Sequence, residues 1–178
     1  MHYLSGLLLF IVFYFIPVIA FGMNKIVYFE PEIVELDGVI KTLKFPGPPN
    51  YENIKTGDAD ETGLYIILHN SIDVNLATNS QIENNEPEKN VKLIQILIQN
   101  NNDFKKIKDG NIVHVVGVLS SALTGHHHAR ILLKVNKIKI LSMKKTISKM
   151  IYVTDEDKKF LKYQYLQQTG TKSDFMTE

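Results

Sequence analysis

Two apolar strands joined by a histidine-bearing turn constrain this chain more than any other stretch. They are Ile112–Leu119 and Ile131–Ile140, and between them lies Ser120-Ser121-Ala122-Leu123-Thr124-Gly125-His126-His127-His128. Aliphatic and β-branched runs of this length, bounded by turn residues, read as strands rather than helices. The stretch predicts a hairpin, and its place at the end of a series of strands predicts the closing hairpin of a small β-barrel.

The upstream strands follow the same logic. Over 25–45, Ile33, Glu35, Asp37 and Val39 fall on one parity and Val34, Leu36 and Ile40 on the other, with Gly38 as a bend or bulge. Residues 63–76 predict a second strand and 91–98 (VKLIQILI) a third. Between them, 77–90 is a polar loop, and 55–61 (KTGDADE) is another. The segment 100–108 (NNNDFKKIK) predicts a short helix with Phe104 and Ile107 facing inward, ended by Asp109-Gly110. Strand, strand, strand, short helix, strand, strand is the order of a five-stranded OB-like barrel. Small sandwiches and other barrels remain open at this point.

Phe45-Pro46-Gly47-Pro48-Pro49-Asn50-Tyr51-Glu52 interrupts the strands. Its prolines fix φ and remove donors, so it forms an extended turn and neither helix nor central strand. At the C-terminal end, Thr154 heads a predicted helix over 154–168, with Asp155, Glu156 and Asp157 in its first turn, where the helix dipole favours acids. Residues 142–153 read as a basic linker and 169–178 as a frayed tail.

Residues 4–21 are nearly continuous apolar sequence, and Ala20-Phe21-Gly22 places small residues at −3 and −1 of a cleavage after Gly22. That is the pattern of a secretory signal, although the preceding Met1-His2-Tyr3 brings no Lys or Arg. An uncleaved inner-membrane anchor and a buried apolar helix are the alternatives. The domain proper then spans 25–141, exported to the periplasm or beyond. The 178 residues contain no cysteine, which excludes disulfides and thiolate metal sites. Lys+Arg at 20 against Asp+Glu at 19 leaves none of the basic excess of a nucleic-acid binder. Membrane contact is expected only through the N-terminal segment.

Taken together, the proline-rich segment, then Gly57-Asp58 with Glu61 and Tyr65, then Val115 and Gly117, then Thr124-Gly125-His126-His127-His128 followed by Ile131-Leu132-Leu133, resemble an uncharacterised family of bacterial exported domains. The likeness covers roughly Tyr28 to Leu141. It implies an exported OB-like β domain and no particular activity. The chain departs from that pattern at Ala129-Arg130, where the family would have Thr with a small or polar neighbour.

Three groups of residues are candidates for a site. The first is the loop-borne set Tyr51, Glu52, Asp58 and Glu61 with His126, His127 and His128, read as ligand-binding because rigid loops on a β scaffold commonly carry recognition. The second is a zinc or copper site: in extended backbone His126 and His128 face one side, and His69 is the candidate third ligand. His114 is set aside because it lies about six residues down the hairpin, on the order of 20 Å away. The third is calcium at Asp58, Asp60 and Glu61, whose spacing is not that of an EF-hand. The sequence has no G-x-S-x-G, no phosphate loop and no dinucleotide fingerprint. The expectation is an exported, non-enzymatic binding module for an envelope protein, a glycan or a small ligand. A metal-binding protein is the alternative. A small hydrolase is the weaker one, and it requires a cleft holding a histidine within hydrogen-bond reach of a serine and a carboxylate.

Overall fold

A computed structural model describes residues 23–51, 54–78, 84–97, 106–124, 126–142 and 153–161. The apolar N-terminal segment, most of the predicted short helix over 100–108, most of the basic linker over 142–153, and the predicted C-terminal helix and tail beyond 161 lie outside the described residues. Six strands account for most of what is described: β1 (Lys25–Tyr28), β2 (Ile33–Pro46), β3 (Asp60–Asn75), β4 (Glu88–Leu97), β5 (Ile112–Ser121) and β6 (Ile131–Ser142). A 3₁₀ turn covers Ile54–Thr56 and a helix, α1, covers 155–161. Among the described residues no helix is long and apolar enough to cross a membrane.

All six strands belong to one sheet, ordered β1-β3-β2-β5-β6-β4, and β3 also pairs with β4, so the hydrogen bonding runs round a ring of five strands. β1 adds in parallel to β3 outside that ring. Within the ring the β4–β6 contact is parallel and the others are antiparallel. Ring bonding needs long strands that change partner, and β2 does so: residues 33–39 pair with β5 and residues 38–46 with β3. Gly38 is the pivot, paired to both Leu68 and Val113. A Cβ there would stand 2.4 Å from the Ile67 carbonyl oxygen, so the two strands approach as closely as they do because position 38 has no side chain. The ladder through Gly38 is continuous on both sides, so of the two readings, bend or bulge, no bulge is present there.

The first predicted strand is two. Phe29 to Glu32 turns the chain between β1 and β2, with Phe29 fully buried. The closing hairpin is also longer than predicted. β5 runs through Ser121, which pairs with Ile131, and Ser120 pairs with Leu132. All three histidines therefore lie inside a loop over 122–130.

Alternation explains half of the core. Leu36, Ile40, Ile66, Leu68, Ile94 and Val115 share one buried cluster inside the sheet. On the opposite face Leu43, Phe45, Tyr65, Ile67 and Leu93 form a second cluster with Ala129 and Leu161. β3 is thus covered on both faces over 65–68, which is why Tyr65-Ile66-Ile67-Leu68 reads as an uninterrupted apolar run. What covers the outer face is α1 and the histidine loop.

Thr154 caps α1 as its position predicts, its Oγ1 accepting the Asp157 N–H at 3.2 Å. Asp157, however, is buried rather than solvated. One carboxylate oxygen accepts the Lys92 and Leu93 amides of β4, each at 2.9 Å. The other takes two hydrogen bonds from Arg130, at 3.1 and 2.7 Å. Arg130 also donates to Glu88 at 2.6 Å. The Ala129-Arg130 pair is therefore what docks α1: Ala129 packs in the same cluster as Leu161, and Arg130 binds Asp157.

Candidate functional site

The site begins at a strand pair. Phe45 of β2 stands opposite Glu61 of β3, just where β2 leaves the sheet at Pro46. β3 starts at Asp60, earlier than predicted, and Glu61 is consequently a strand residue rather than a member of a polar loop. The proline-rich loop that follows has few N–H groups, so a handful of hydrogen bonds sets its shape. Gly47 N–H donates to the Ala59 oxygen at 2.7 Å, Ala59 N–H to the Pro48 oxygen at 2.8 Å, and Tyr51 N–H to the Gly47 oxygen at 3.0 Å. Buried Asp58 accepts the Asn50 N–H at 3.0 Å. Tyr51 is held at φ +60°, a conformation that L residues other than Asn, Asp and Gly adopt sparingly.

Held this way, Tyr51 meets the histidine loop. Its Oη lies 3.0 Å from His126 Nε2, and the two rings sit edge to face with centroids 5.2 Å apart. His126 Nδ1 lies 3.0 Å from Glu61 Oε1. A carboxylate only accepts, so when His126 is neutral Nδ1 carries the proton and Nε2 accepts from the Tyr51 hydroxyl.

The three histidines do three different things. His126 is half-exposed and links Glu61 to Tyr51. His127 turns back into its own loop, where Nδ1 accepts the Leu123 and Thr124 amides at 3.0 and 3.2 Å. Burial holds its pKa below the usual imidazole value. His128 is buried, its ring stacked on Phe45 with centroids 3.8 Å apart and planes 7° from parallel. Burial first, then the neighbouring His126 and His127, depress its pKa to about 4, so it is neutral at ordinary pH. Gln95 of β4 ties two of them down: Oε1 accepts the His128 N–H at 2.7 Å and Nε2 donates to the His126 oxygen at 3.2 Å.

Behind these residues is a cavity of about 290 Å³ bordered by Glu61, Gly63, Tyr65, Gln95, His126 and His128. Burial, reinforced by the Glu61 carboxylate, pushes the Tyr65 phenol well above its ordinary pKa. A larger cleft of about 770 Å³ lies elsewhere, among Asn24, Glu35, Asp37, His69 and Lys92.

Of the expected ligand-binding residues, the structure brings together Tyr51, Glu61, His126 and His128. Asp58 and His127 instead shape the two loops, and Glu52 lies outside the described residues. The acidic trio diverges, Asp58 toward Asn50, Asp60 toward Lys44 and Glu61 toward His126. His69 does not join His126 and His128. It lines the larger cleft and sits eight residues along β3 from Glu61, on the order of 25 Å at about 3.3 Å per residue. Among the described residues no group of three His, Asp or Glu side chains is placed to hold a metal ion, which corrects the zinc or copper set of His69, His126 and His128. His114 bonds to Asp37 at 2.9 Å, away from the loop. Tyr65 and Gln95 escaped the site reading. Gln95 carried a signal, since a polar residue within an apolar strand must find partners when buried.

The profile of a family described as "Domain of unknown function (DUF4431)" matches residues 93–139. This supports similarity to an uncharacterised domain family. The matched span runs from within β4 into β6 and carries Gln95 and the whole histidine loop, but neither the proline-rich loop nor α1. No curated protein and no solved structure matches the chain.

Proposed function

We propose that this protein is an exported, non-enzymatic binding module, and that its ligand is taken where the proline-rich loop meets the histidine loop. The observation that carries the reading is the Tyr51–His126–Glu61 chain, which fixes two loops and a strand into one partly exposed surface. A surface so pre-ordered loses little conformational entropy on binding. The ring of β2, β3, β4, β6 and β5, with one parallel contact, supports an OB-like barrel as the scaffold, a fold that binds ligands through its loops and one sheet face. Export rests on the apolar leader and the small residues at Ala20 and Gly22. Envelope proteins, glycans and small ligands are the partner classes.

The test is binding to isolated bacterial envelope fractions and to a glycan array, with the wild type beside Tyr51→Ala/His126→Ala. Binding by the wild type that the double variant loses supports the reading. Equal binding by both, or none by either, rejects it. An alkaline phosphatase fusion after residue 40 reports export through its activity.

A second reading has one observation in its favour: a carboxylate, an imidazole and a hydroxyl in hydrogen-bonded series, the arrangement that activates a nucleophile in hydrolases. The hydroxyl is that of Tyr51, not of a serine; Ser121 Oγ instead accepts the Glu86 N–H at 3.2 Å. Turnover of p-nitrophenyl esters that His126→Ala abolishes would establish it.

A further inference from the structure

The outward face of β2, β5 and β6 sorts its residues by chemistry, one kind to each strand. β2 presents Ile33, Glu35 and Asp37, β5 presents Val118, Val116 and His114 beside them, and β6 presents Lys134, Lys137 and Lys139 beyond. The register sets them in rows: Ile33–Val118–Lys134, Glu35–Val116–Lys137 and Asp37–His114–Lys139. A solvated antiparallel sheet is stabilised when opposite charges stand on neighbouring strands, where they pair directly. Here β5 separates the acids from the lysines by two strand spacings, about 10 Å. His114 takes the acids instead, 2.9 Å from Asp37 and 3.6 Å from Glu35. None of these lysines makes an ion pair with a described residue.

We propose that this face pairs with the same face of a second copy of the chain, in a weak twofold dimer. Charge complementarity names the occupant. A twofold axis in the contact plane and parallel to β5 lays the β2 column of each copy on the β6 column of the other. Glu35 then meets Lys137 and Asp37 meets Lys139, in both copies at once. Ile33 lies along the aliphatic stem of Lys134, and Val116 and Val118 meet their own counterparts on the axis. The other in-plane axis, across the strands, lays acids upon acids and lysines upon lysines. One orientation matches the charges, and it is close to the aligned packing of two sheets.

The side-chain lengths suit the contact. A sheet bonded in a ring is convex outward, so the middle strand of any three stands highest. β5 carries the short Val116 and Val118 there, while Ile33, Glu35 and the lysines on either side reach further, so the flanks rise to the level of the centre. Exposed apolar residues belong to the same face: Ile33 in the first row, and Leu141 two residues beyond Lys139. The contact is far smaller than the roughly 20–30 residues a side of a standard interface, so its Kd is expected on the order of 100 μM. Its charged pairs lie toward the rim, which makes it salt-sensitive.

The experiment is sedimentation velocity of the full chain from about 1 μM to about 1 mM. The wild type shows a monomer–dimer equilibrium that weakens about tenfold between about 50 mM and about 0.5 M salt. Glu35→Lys/Asp37→Lys turns the charges of the face all basic, and Lys137→Glu/Lys139→Glu turns them mostly acidic. Each double variant, shown to be folded by its urea midpoint, loses dimer affinity by about a hundredfold or more. Mixed in equal amounts, the two variants recover it as a heterodimer, because each reversed column then faces its opposite. Val116→Cys, the sole thiol in a chain without cysteine, is joined to its counterpart by a short bismaleimide when the native charges are present and not when either pair is reversed. A monomer at every concentration, dimerisation that neither reversal weakens, reversed variants that stay apart on mixing, or no cross-link at position 116 overturns the assignment to a second copy.

Discussion

The imidazole of His128 lies flat on the ring of Phe45, 3.8 Å between centroids. The first residue of the proline-rich segment and the last of the histidine run are thereby packed as one unit. The stack has a consequence for pH. His128 is 2% exposed and its pKa falls to about 4 from an ordinary 6.5, so between those values the unfolded chain binds the proton that the folded one refuses. Stability therefore rises with pH across the window and is lost as pH falls from about 6.5 to about 4, by on the order of 3 kcal/mol at most. His127 titrates in the same direction. Urea midpoints at pH 7.5 and 4.5 measure the slope. His128→Phe keeps the stack without a titrating group, and is expected to flatten it markedly.

Arg130 and Asp157 should be the most costly polar pair to break. Arg130→Ala leaves a buried carboxylate without its cation, a loss of about 3–5 kcal/mol in chemical denaturation. The apolar double replacement Arg130→Met/Asp157→Leu is not expected to restore stability. Asp157 also takes the Lys92 and Leu93 amides, which would be left without a partner. Amide exchange over 155–161 should accelerate in Arg130→Ala more than in the strand interiors.

Gly38→Ala and Gly117→Ala should each destabilise strongly. The added Cβ meets a backbone oxygen in both cases, Ile67 O at 2.4 Å and Lys134 O at 2.3 Å, and backbone in a closed ladder has little room to yield. Losses at or above about 3 kcal/mol, the upper end for overpacking, are expected in thermal or urea melts. A loss below about 1 kcal/mol would show that the strands are less closely apposed than described.

His126 should carry its proton on Nδ1 when neutral, facing Glu61, with Nε2 accepting from Tyr51. Nitrogen-15 NMR of the imidazole distinguishes the two tautomers directly. Tyr51→Phe is expected to keep the Nδ1–H tautomer and to cost no more than about 1 kcal/mol, since the bond it deletes is partly exposed to water. Amide exchange at position 51 should rise in that variant.

Much of this was legible in the residues. The aliphatic runs of β3, β4, β5 and β6 announced strands because side-chain periodicity and β-branching are local properties. The Thr154 cap and the proline-rich turn were readable for the same reason. Boundaries were less so. Asp60 and Glu61 look like loop on polarity alone, yet they extend β3 because Pro46 and Phe45 lie opposite to pair with them. The split of the first strand at Phe29–Glu32 likewise depends on where the chain must turn to lay β1 beside β3.

What the chain's own order determined was a cysteine-free, strand-rich body with two distinctive loops, one stiffened by proline and one bearing three imidazoles. Only tertiary structure decided which of their side chains meet. Glu61 and His126 are 65 positions apart, Tyr51 and His126 are 75, and no periodicity links such distances. Their meeting follows from β2 changing partner at Gly38 and β4 running parallel to β6, which bring Glu61, Gln95 and the histidine loop to one place. The same long-range packing separated His69 from the other histidines, because pairing register, rather than residue type, sets where a strand side chain points.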